Sequence, residues 1–434
     1  MTKNPNPVPE WVDGSKINEV LFCKAFLETH PMICINGTFF TVEGRVTDEN
    51  RLRREILEWI EPYVTSGLAK RVTGLLDTMR VKCYAPPLPV STDRIHVANG
   101  TYFLSGTFIP EKEYCVNRLP VSYRPDAATP VRWLHFLEEL LYPEDIPTLQ
   151  EYMGYCLIPT TKAQKMLFLI GKGGEGKSRV GLVMRALLGS NMNTGSIQKV
   201  ETSPFARADL EHLLVMVDDD MKIEALPQTN HIKTIVTAEL PMDLERKGQQ
   251  SYQGQLCARF LVFGNGTMKS LYDRSEGFFR RQLILSVRDR DKNREDDPFL
   301  AEKLCAEAEG IFLWALEGLR RLIARNYHFT ISKRTEENMA SAIKEGNNIV
   351  EFMESDGYFR FKADSQITSK DFYALYELWC DDNSTKPVTS KSFSNYLAQH
   401  EREYNLEHTN NVRNHQGRRV WGFWGIDPIV KAFV

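Results

Sequence analysis

Short apolar runs of three to five residues, the first three closed by glycine or acids, alternate through the middle of this chain with stretches of helical periodicity. The runs are 166–170 (Met-Leu-Phe-Leu-Ile), 213–217 (Leu-Leu-Val-Met-Val), 260–263 (Phe-Leu-Val-Phe) and 283–285 (Leu-Ile-Leu). Unbroken apolar runs of this length predict strands covered on both faces, as in a parallel sheet. After the first run, Val180, Leu182, Val183, Ala186 and Leu187 recur at helical spacing, and Gly189 stands where a helix would end. Strand and helix in alternation predict an α/β core.

Upstream, residues 1–15 are polar and proline-rich and predict a loose arm. Residues 16–90 mix helical patterns with a strand pair, 32–35 and 38–42, joined by Asn36-Gly37, a strong two-residue hairpin signal. Pro86-Pro87-Leu88-Pro89 breaks the chain, and short β segments follow over 95–124. In 130–158, Trp133, Phe136, Leu137, Leu140 and Leu141 share a helix face, and Pro143 and Pro147 split the region into two helices. A long helical segment covers 298–325. The pattern changes again over 347–427. There helical runs at 368–381 and 389–401 flank a turn, and 404–424 reads as a β-ribbon, the order expected of a helix-turn-helix with a wing.

Composition narrows the class. At 434 residues the chain has room for about three domains of ~150 residues. Its 42% hydrophobic and 26% charged content is that of an ordinary globular protein. A net charge of −3 excludes attraction to nucleic acid by the whole surface, so any such site is a local basic patch or pore lining. The eight cysteines form no C-x-x-C pair, which fits reduced thiols better than zinc or a disulfide framework. No apolar run nears the ~18 residues of a membrane span, and the start shows no signal-peptide core. The cytoplasm is the expected compartment.

The chemistry concentrates in one place. Gly171-Lys172-Gly173-Gly174-Glu175-Gly176-Lys177-Ser178 fits G-x-x-x-x-G-K-[ST], and it lies between a predicted strand and a predicted helix. Glycines let backbone N–H groups turn onto phosphate oxygens, and the helix start adds positive potential. Lys177 would reach β- and γ-phosphates and Ser178 would ligate Mg²⁺, so ATP and Mg²⁺ are the expected cofactors. Asp218, Asp219 and Asp220 end the second strand. They suit metal binding, at Asp218 and Asp219 with Ser178, and water orientation as well as they suit a solvated acidic turn. Asn265 ends the third strand, where it fits either a γ-phosphate contact or an ordinary Asn-Gly turn. Between these strands a hairpin is expected over 242–254, with Arg246 and Lys247 at its tip. Arg280 and Arg281 precede the fourth strand, either as surface charges or as a finger to a neighbouring subunit's phosphate. Arg413, Arg418 and Arg419 on the C-terminal ribbon suit phosphate contact, and the nearby Trp421, Phe423 and Trp424 read as core. Glu138-Glu139 reads as a solvated face, since adjacent helical residues do not face each other.

Taken in order, these features resemble the superfamily 3 helicases of the phage and plasmid primase type, related to the poxvirus primase-helicase. The resemblance runs from about residue 95 to the end. It includes Asn99-Gly100, the segment from Leu119 to Ala127, Pro130 to Trp133, Leu149 to Leu157, and the helix from Ala306 to Gly318. It implies a helical collar-like region (96–160), a central AAA+-like P-loop ATPase with a parallel sheet (161–330) and a C-terminal winged helix (345–434); ahead of these, the residue pattern alone gives an N-terminal mixed α/β region (1–95). The residues Gly171 to Ser178 become motif A, the acids after Val217 motif B, and Asn265 the sensor of motif C. Lys233 matches a lysine after motif B, Arg246 and Lys247 fall in a DNA-contacting hairpin, and Arg280 and Arg281 match the finger pair. Members are ring-forming ATPases that translocate on single-stranded DNA.

The expected function is therefore an ATP-dependent DNA helicase serving replication of a phage, plasmid or mobile element in a bacterial cytoplasm. It would work as a hexameric ring with one strand in its pore, duplex DNA on the winged helix, and a separate primase or polymerase as partner. Two departures from the family matter: motif B has only Asp where Glu is common, and the first 95 residues are too short for the primase domain and lack its acidic and zinc motifs. An ATP-switched initiator or loader that binds duplex DNA without unwinding is the alternative, and a packaging or partition protein a third.

Overall fold

The computed structural model describes residues 8–221, 229–248, 250–265, 276–290, 295–346 and 348–430. Most of the proline-rich arm (1–7) and Gly266 lie outside them. The chain forms two compact units. The first comprises residues 1–222, 228–266 and 280–336, and the second 223–227, 267–279 and 337–434.

The first unit opens with a paired β1 (Val12–Asp13) and β2 (Lys16–Ile17), then α1 (Glu19–Thr29), capped by the Asn18 side chain. The antiparallel β3 (Ile33–Ile35), β4 (Thr38–Thr41) and β5 (Gly44–Arg45) follow, then α2 (Glu49–Ile60) and α3 (Leu68–Lys82). Asn36 and Gly37 both take positive φ (49° and 78°), the conformation a two-residue hairpin turn needs. A second antiparallel sheet, β6 (Arg94–Val97), β7 (Gly100–Phe103) and β8 (Phe108–Ile109), leads to α4 (Val131–Leu140) and α5 (Ile146–Tyr155). Arg118, nearly fully buried, ties these parts together. It donates to the carbonyls of Val42 (2.6 Å), Val97 (2.7 Å) and Glu113 (2.8 Å).

The core then follows as β9 (Met166–Gly171), α6 (Lys177–Leu188), β10 (Met192–Thr194), α7 (Ile197–Thr202), α8 (Pro204–Ala208), β11 (Val215–Met221) and α9 (Asn230–Thr237). An antiparallel hairpin, β12 (Met242–Leu244) with β13 (Tyr252–Gly254), precedes β14 (Arg259–Asn265) and β15 (Gln282–Ser286); α10 (Glu276–Phe279), between the two in sequence, belongs to the second unit. The five long-range strands form one parallel sheet in the order β10-β11-β14-β9-β15. Its alternate residues, Leu167, Leu169, Val215, Val217, Leu261, Phe263, Leu283 and Leu285, share one cluster with α4, α5, α6 and α12 (Ala308–Ala324). The intervening Phe168, Met216, Phe260, Val262 and Ile284 are buried too, which is why the runs carry no polar alternation. Leu182, expected on the apolar face of α6, is 43% exposed; Gly181 and Met184 are buried beside the expected Val180, Val183 and Leu187.

Two further helices, α11 (Leu300–Cys305) and α12, close the unit before α13 (Lys333–Gly346). Helices α5 and α12 cross with their backbones almost touching. A Cβ on Gly154 would lie 2.3 Å from the Ala315 carbonyl oxygen, and one on Gly318 2.4 Å from that of Gln150. Only glycine fits there.

The second unit carries α14 (Asn348–Met353), β16 (Phe359–Thr368), α15 (Ser369–Asp382), α16 (Ser390–Gln399), α17 (Glu401–Tyr404), β17 (Glu407–Arg413) and β18 (Arg419–Pro428). Its antiparallel sheet has the order β16-β18-β17 over a core of Phe352, Phe372, Tyr376, Phe393 and Phe423. Thr368 and Thr389 cap α15 and α16 through their side chains. Among the described residues, no helix is long and apolar enough to cross a membrane.

Candidate functional site

The glycine-rich loop leaves β9 at Gly171 and enters α6 at Lys177, at the carboxyl end of the sheet. From β9 the chain crosses to the far strand β10, whereas from the adjacent β14 it returns past β9 to β15. The crevice between β9 and β14 is thus a topological switch point, the place where open α/β sheets take ligands. Gly173, Gly174 and Gly176 have φ of 112°, 83° and 106°, so the loop depends on glycine for its path. Phe136 of α4 packs under it, with Cε2 3.5 Å from where a Cβ of Gly176 would stand.

The loop encloses a charge pair. Glu175 and Lys177 are only 4% and 6% exposed, and Lys177 Nζ donates to Glu175 Oε2 at 2.7 Å. The other oxygen, Oε1, accepts from the backbone N–H groups of Lys172 (2.5 Å) and Gly173 (2.8 Å). Burial works against the Glu175 charge, but Lys177 and the loop N–H groups outweigh it and hold the carboxyl below its ordinary value. An anion therefore sits where the loop's donors converge. Ser178 is exposed at the first turn of α6. Lys172 points away and pairs with Asp289 (2.8 Å).

Beside Glu175 lies a cleft of 840 Å³, walled by Arg132, Phe136, Glu138 and Glu139 on α4 and by Arg288, Asp289 and Arg290 just after β15, so its lining carries both signs of charge. Its size suits a small organic ligand. The sequence pattern gave no sign of these two arginines, because the turn after a strand carries charges for many reasons and only the fold brings it to the loop.

The other expected residues divide into near and far. Across the sheet, Asp218 pairs with Val262, which pairs with Phe168, three residues before the loop. Two strand spacings of ~4.8 Å put β11 about 10 Å from β9. Asp218 is buried, and its Oδ2 accepts the Ile197 N–H at 2.8 Å at the start of α7. Burial, reinforced by Asp219 and Asp220, raises its pKa against the opposing pull of that N–H. A bulge in register follows, and Asp219 and Asp220 on it are exposed. Asn265 pairs with Gly171, so its backbone borders the loop; its side chain lies outside the described residues. Among the described residues no cluster of three or more His, Cys, Asp or Glu has the form of a metal centre.

Arg280 and Arg281 stand at the opposite end of the sheet, where Gln282 pairs with Met166. Five residues of strand at ~3.3 Å each separate them from Gly171, about 16 Å, so they do not meet their own chain's loop. Their carbonyls are engaged: Met166 N donates to that of Arg281 (2.8 Å) and Lys165 Nζ to that of Arg280. Lys233 is half-buried on α9. At the hairpin, Lys247 is exposed, whereas Arg246 Nη2 donates to the buried Glu211 (2.6 Å), which also accepts from Tyr252 Oη (2.5 Å). Arg246 thus latches the hairpin to the body. In the second unit Arg413 and Arg419 are cross-strand partners, and with Arg418 all three are exposed. Of the aromatics expected in the core, Phe423 is buried, but Trp421 is 58% exposed beside them, its ring 4.8 Å from that of His408.

Residues 169–281, from the loop strand to the arginine pair, match a family of unknown function, DUF5906. No curated protein matches the chain. Among solved structures, an apo structure of the NrS-1 C-terminal region is similar over 94% of this chain and all of that one, with a TM-score of 0.54 and 12% identity. Its A form gives 93% and 98%, 0.51 and 12%. At such identity the likeness is one of fold: a mixed α/β chain around a five-stranded parallel sheet.

Proposed function

We propose that this chain is an ATP-dependent DNA helicase acting in replication. The observation that carries the reading is the loop at the switch point. Its backbone N–H groups and Lys177 already hold a carboxylate, and an anion receptor of this make is what a nucleotide's phosphates require. Lys177 would hold the β- and γ-phosphates and Ser178 the Mg²⁺ ion. Because Asp218 is engaged by the start of α7, the exposed Asp219 and Asp220 are the carboxylates open to that ion and to water. ATP hydrolysis would supply the free energy of movement. The cleft between α4 and the turn after β15 would take the base and ribose.

The sheet topology agrees with the AAA+-like core that the sequence resembles, and the helices and three-stranded sheet of the second unit agree with a winged helix. The fold likeness to the NrS-1 C-terminal region spans 94% of the chain and supports reading its parts as one architecture. In this reading Arg280 and Arg281 act only on a neighbour's nucleotide, which calls for a ring. Lys247, left exposed while Arg246 anchors the hairpin, is the hairpin's DNA contact. Arg413, Arg418, Arg419 and Trp421 form a basic surface with one aromatic plate, suited to phosphate and base contact.

The test is ATP hydrolysis with and without single-stranded DNA. Wild type should hydrolyse ATP faster with DNA. Lys177→Ala should lose the basal rate, and Lys247→Ala should keep it but lose the stimulation. Hydrolysis unaffected by Lys177→Ala would rule out the loop as the site.

A further inference from the structure

The Glu175 carboxylate does what a bound phosphate would do. Its two oxygens take the Lys172 and Gly173 N–H groups and the Lys177 ammonium, the same donors that make such a loop an anion receptor. The room for it is built in. A Cβ on Gly171 would lie 2.7 Å from Oε1 and 2.8 Å from Cδ of Glu175, so a glycine there is what admits the carboxylate. There is also a physical reason for an internal anion. Lys177 is almost fully buried, and an ammonium without a counter-charge in such a place is strongly disfavoured.

We propose that Glu175 is a built-in competitor for the phosphate site, holding the loop closed on itself until a nucleotide's phosphates displace it. The proposal rests on the nucleotide reading above and adds regulation to it. The side chain borders the 840 Å³ cleft, which gives the displaced carboxylate room to turn out of the loop; basic Arg132 and Arg288 line it beside acidic Glu138, Glu139 and Asp289. Nucleotide binding is then an exchange of one anion for another, and the apparent dissociation constant is the intrinsic one divided by the fraction of open loops. A loop closed about nine-tenths of the time weakens binding about tenfold. The exchange raises about tenfold the nucleotide concentration that fills half of the sites.

Binding of Mg·ADP and of adenosine to the full chain, followed by calorimetry, tests this in wild type, Glu175→Gln, Glu175→Ala and Lys177→Ala. Both Glu175 variants should bind ADP about tenfold tighter than wild type, with a much smaller change for adenosine, which brings no phosphate to the loop. Glu175→Gln keeps the side-chain length, so agreement between the two variants excludes a mere loss of loop structure. The proposal is overturned if wild type binds ADP, Lys177→Ala does not, and both Glu175 variants bind no tighter or more weakly. The carboxylate would then be a prop for Lys177. If neither wild type nor the Glu175 variants bind ADP, the nucleotide reading itself falls, and the proposal with it.

Discussion

Replacing Arg259 by methionine should destabilise the first unit, even though it removes a buried positive charge. Arg259 opens β14 and is 2% exposed. Its guanidinium donates to four carbonyls, those of Cys257 (2.7 Å), Thr160 (3.2 Å), Tyr155 (3.0 Å) and Ile158 (2.5 Å), and lies 5.0 Å from the Tyr155 ring centre. It closes the end of α5 and the turn that leads to β9, the strand carrying the glycine-rich loop. Hydrogen bonds to a charged group are worth about 1.5–3 kcal/mol each, so four amount to roughly 6–12 kcal/mol. Against them stands the cost of burying the cation, several kcal/mol after relaxation. Methionine keeps the apolar stem but leaves the carbonyls without donors. The balance is a net loss of about 3–5 kcal/mol, and at roughly 1.5 °C per kcal/mol for a unit of this size the melting temperature should fall by about 5–8 °C. Circular dichroism melts and urea midpoints of wild type and Arg259→Met would show it. An unchanged or higher melting temperature would refute the reasoning, because the desolvation cost of the cation would then exceed all four bonds.

Four further outcomes are expected. Gly318→Ala sets a methyl 2.4 Å from the Gln150 carbonyl oxygen, and forcing α5 and α12 apart should cost at least about 2 kcal/mol, read as a lower melting temperature. His96 is pushed down to about 4 from 6.5, chiefly by burial, with Arg118 and Arg94 adding to it and Glu113 opposing. The folded state therefore favours the neutral ring. Its contribution is full above pH 6.5 and is lost as pH falls toward 4, by about 2 kcal/mol at pH 5, so the stability lost between pH 7 and 5 should be smaller in His96→Gln than in wild type. Asp218 has a raised pKa through burial, so its ionisation costs stability as pH rises through the folded value. Asp218→Asn keeps an acceptor for Ile197 N–H and should melt no lower than wild type at pH 8. Asp219→Asn or Asp220→Asn should cost more ATP hydrolysis than Asp218→Asn does.

What could be read from the chain beforehand was local or strongly periodic. The strand, loop and helix around Gly171 to Ser178 are specified within some twenty residues, and the apolar runs mark strands buried on both faces. Asn36-Gly37 carries its own turn. The unread features depend on partners far away in sequence or on exposure. The latch of Arg246 needs Glu211, thirty-five residues earlier. Gly154 and Gly318 look like helix weaknesses until α5 and α12 are seen to cross at them. Half of β16 is exposed, and the apolar alternation of Phe359, Phe361 and Ala363 breaks at Ser365-Gln366, where its register also shifts. Trp421 looked like core because aromatic content says nothing about which side of a ribbon faces out. At Glu175 the pattern G-x-x-x-x-G-K-[ST] leaves the position free, and only the folded loop turns its carboxylate inward.

The most direct test of the central claim is unwinding of a forked DNA duplex with ATP by wild type, Lys177→Ala and Lys247→Ala. The account predicts unwinding by wild type and none by either variant, with Lys247→Ala still binding ATP. If wild type assembles on duplex DNA in the presence of ATP yet separates no strands, the helicase reading is contradicted and an ATP-switched initiator or loader takes its place.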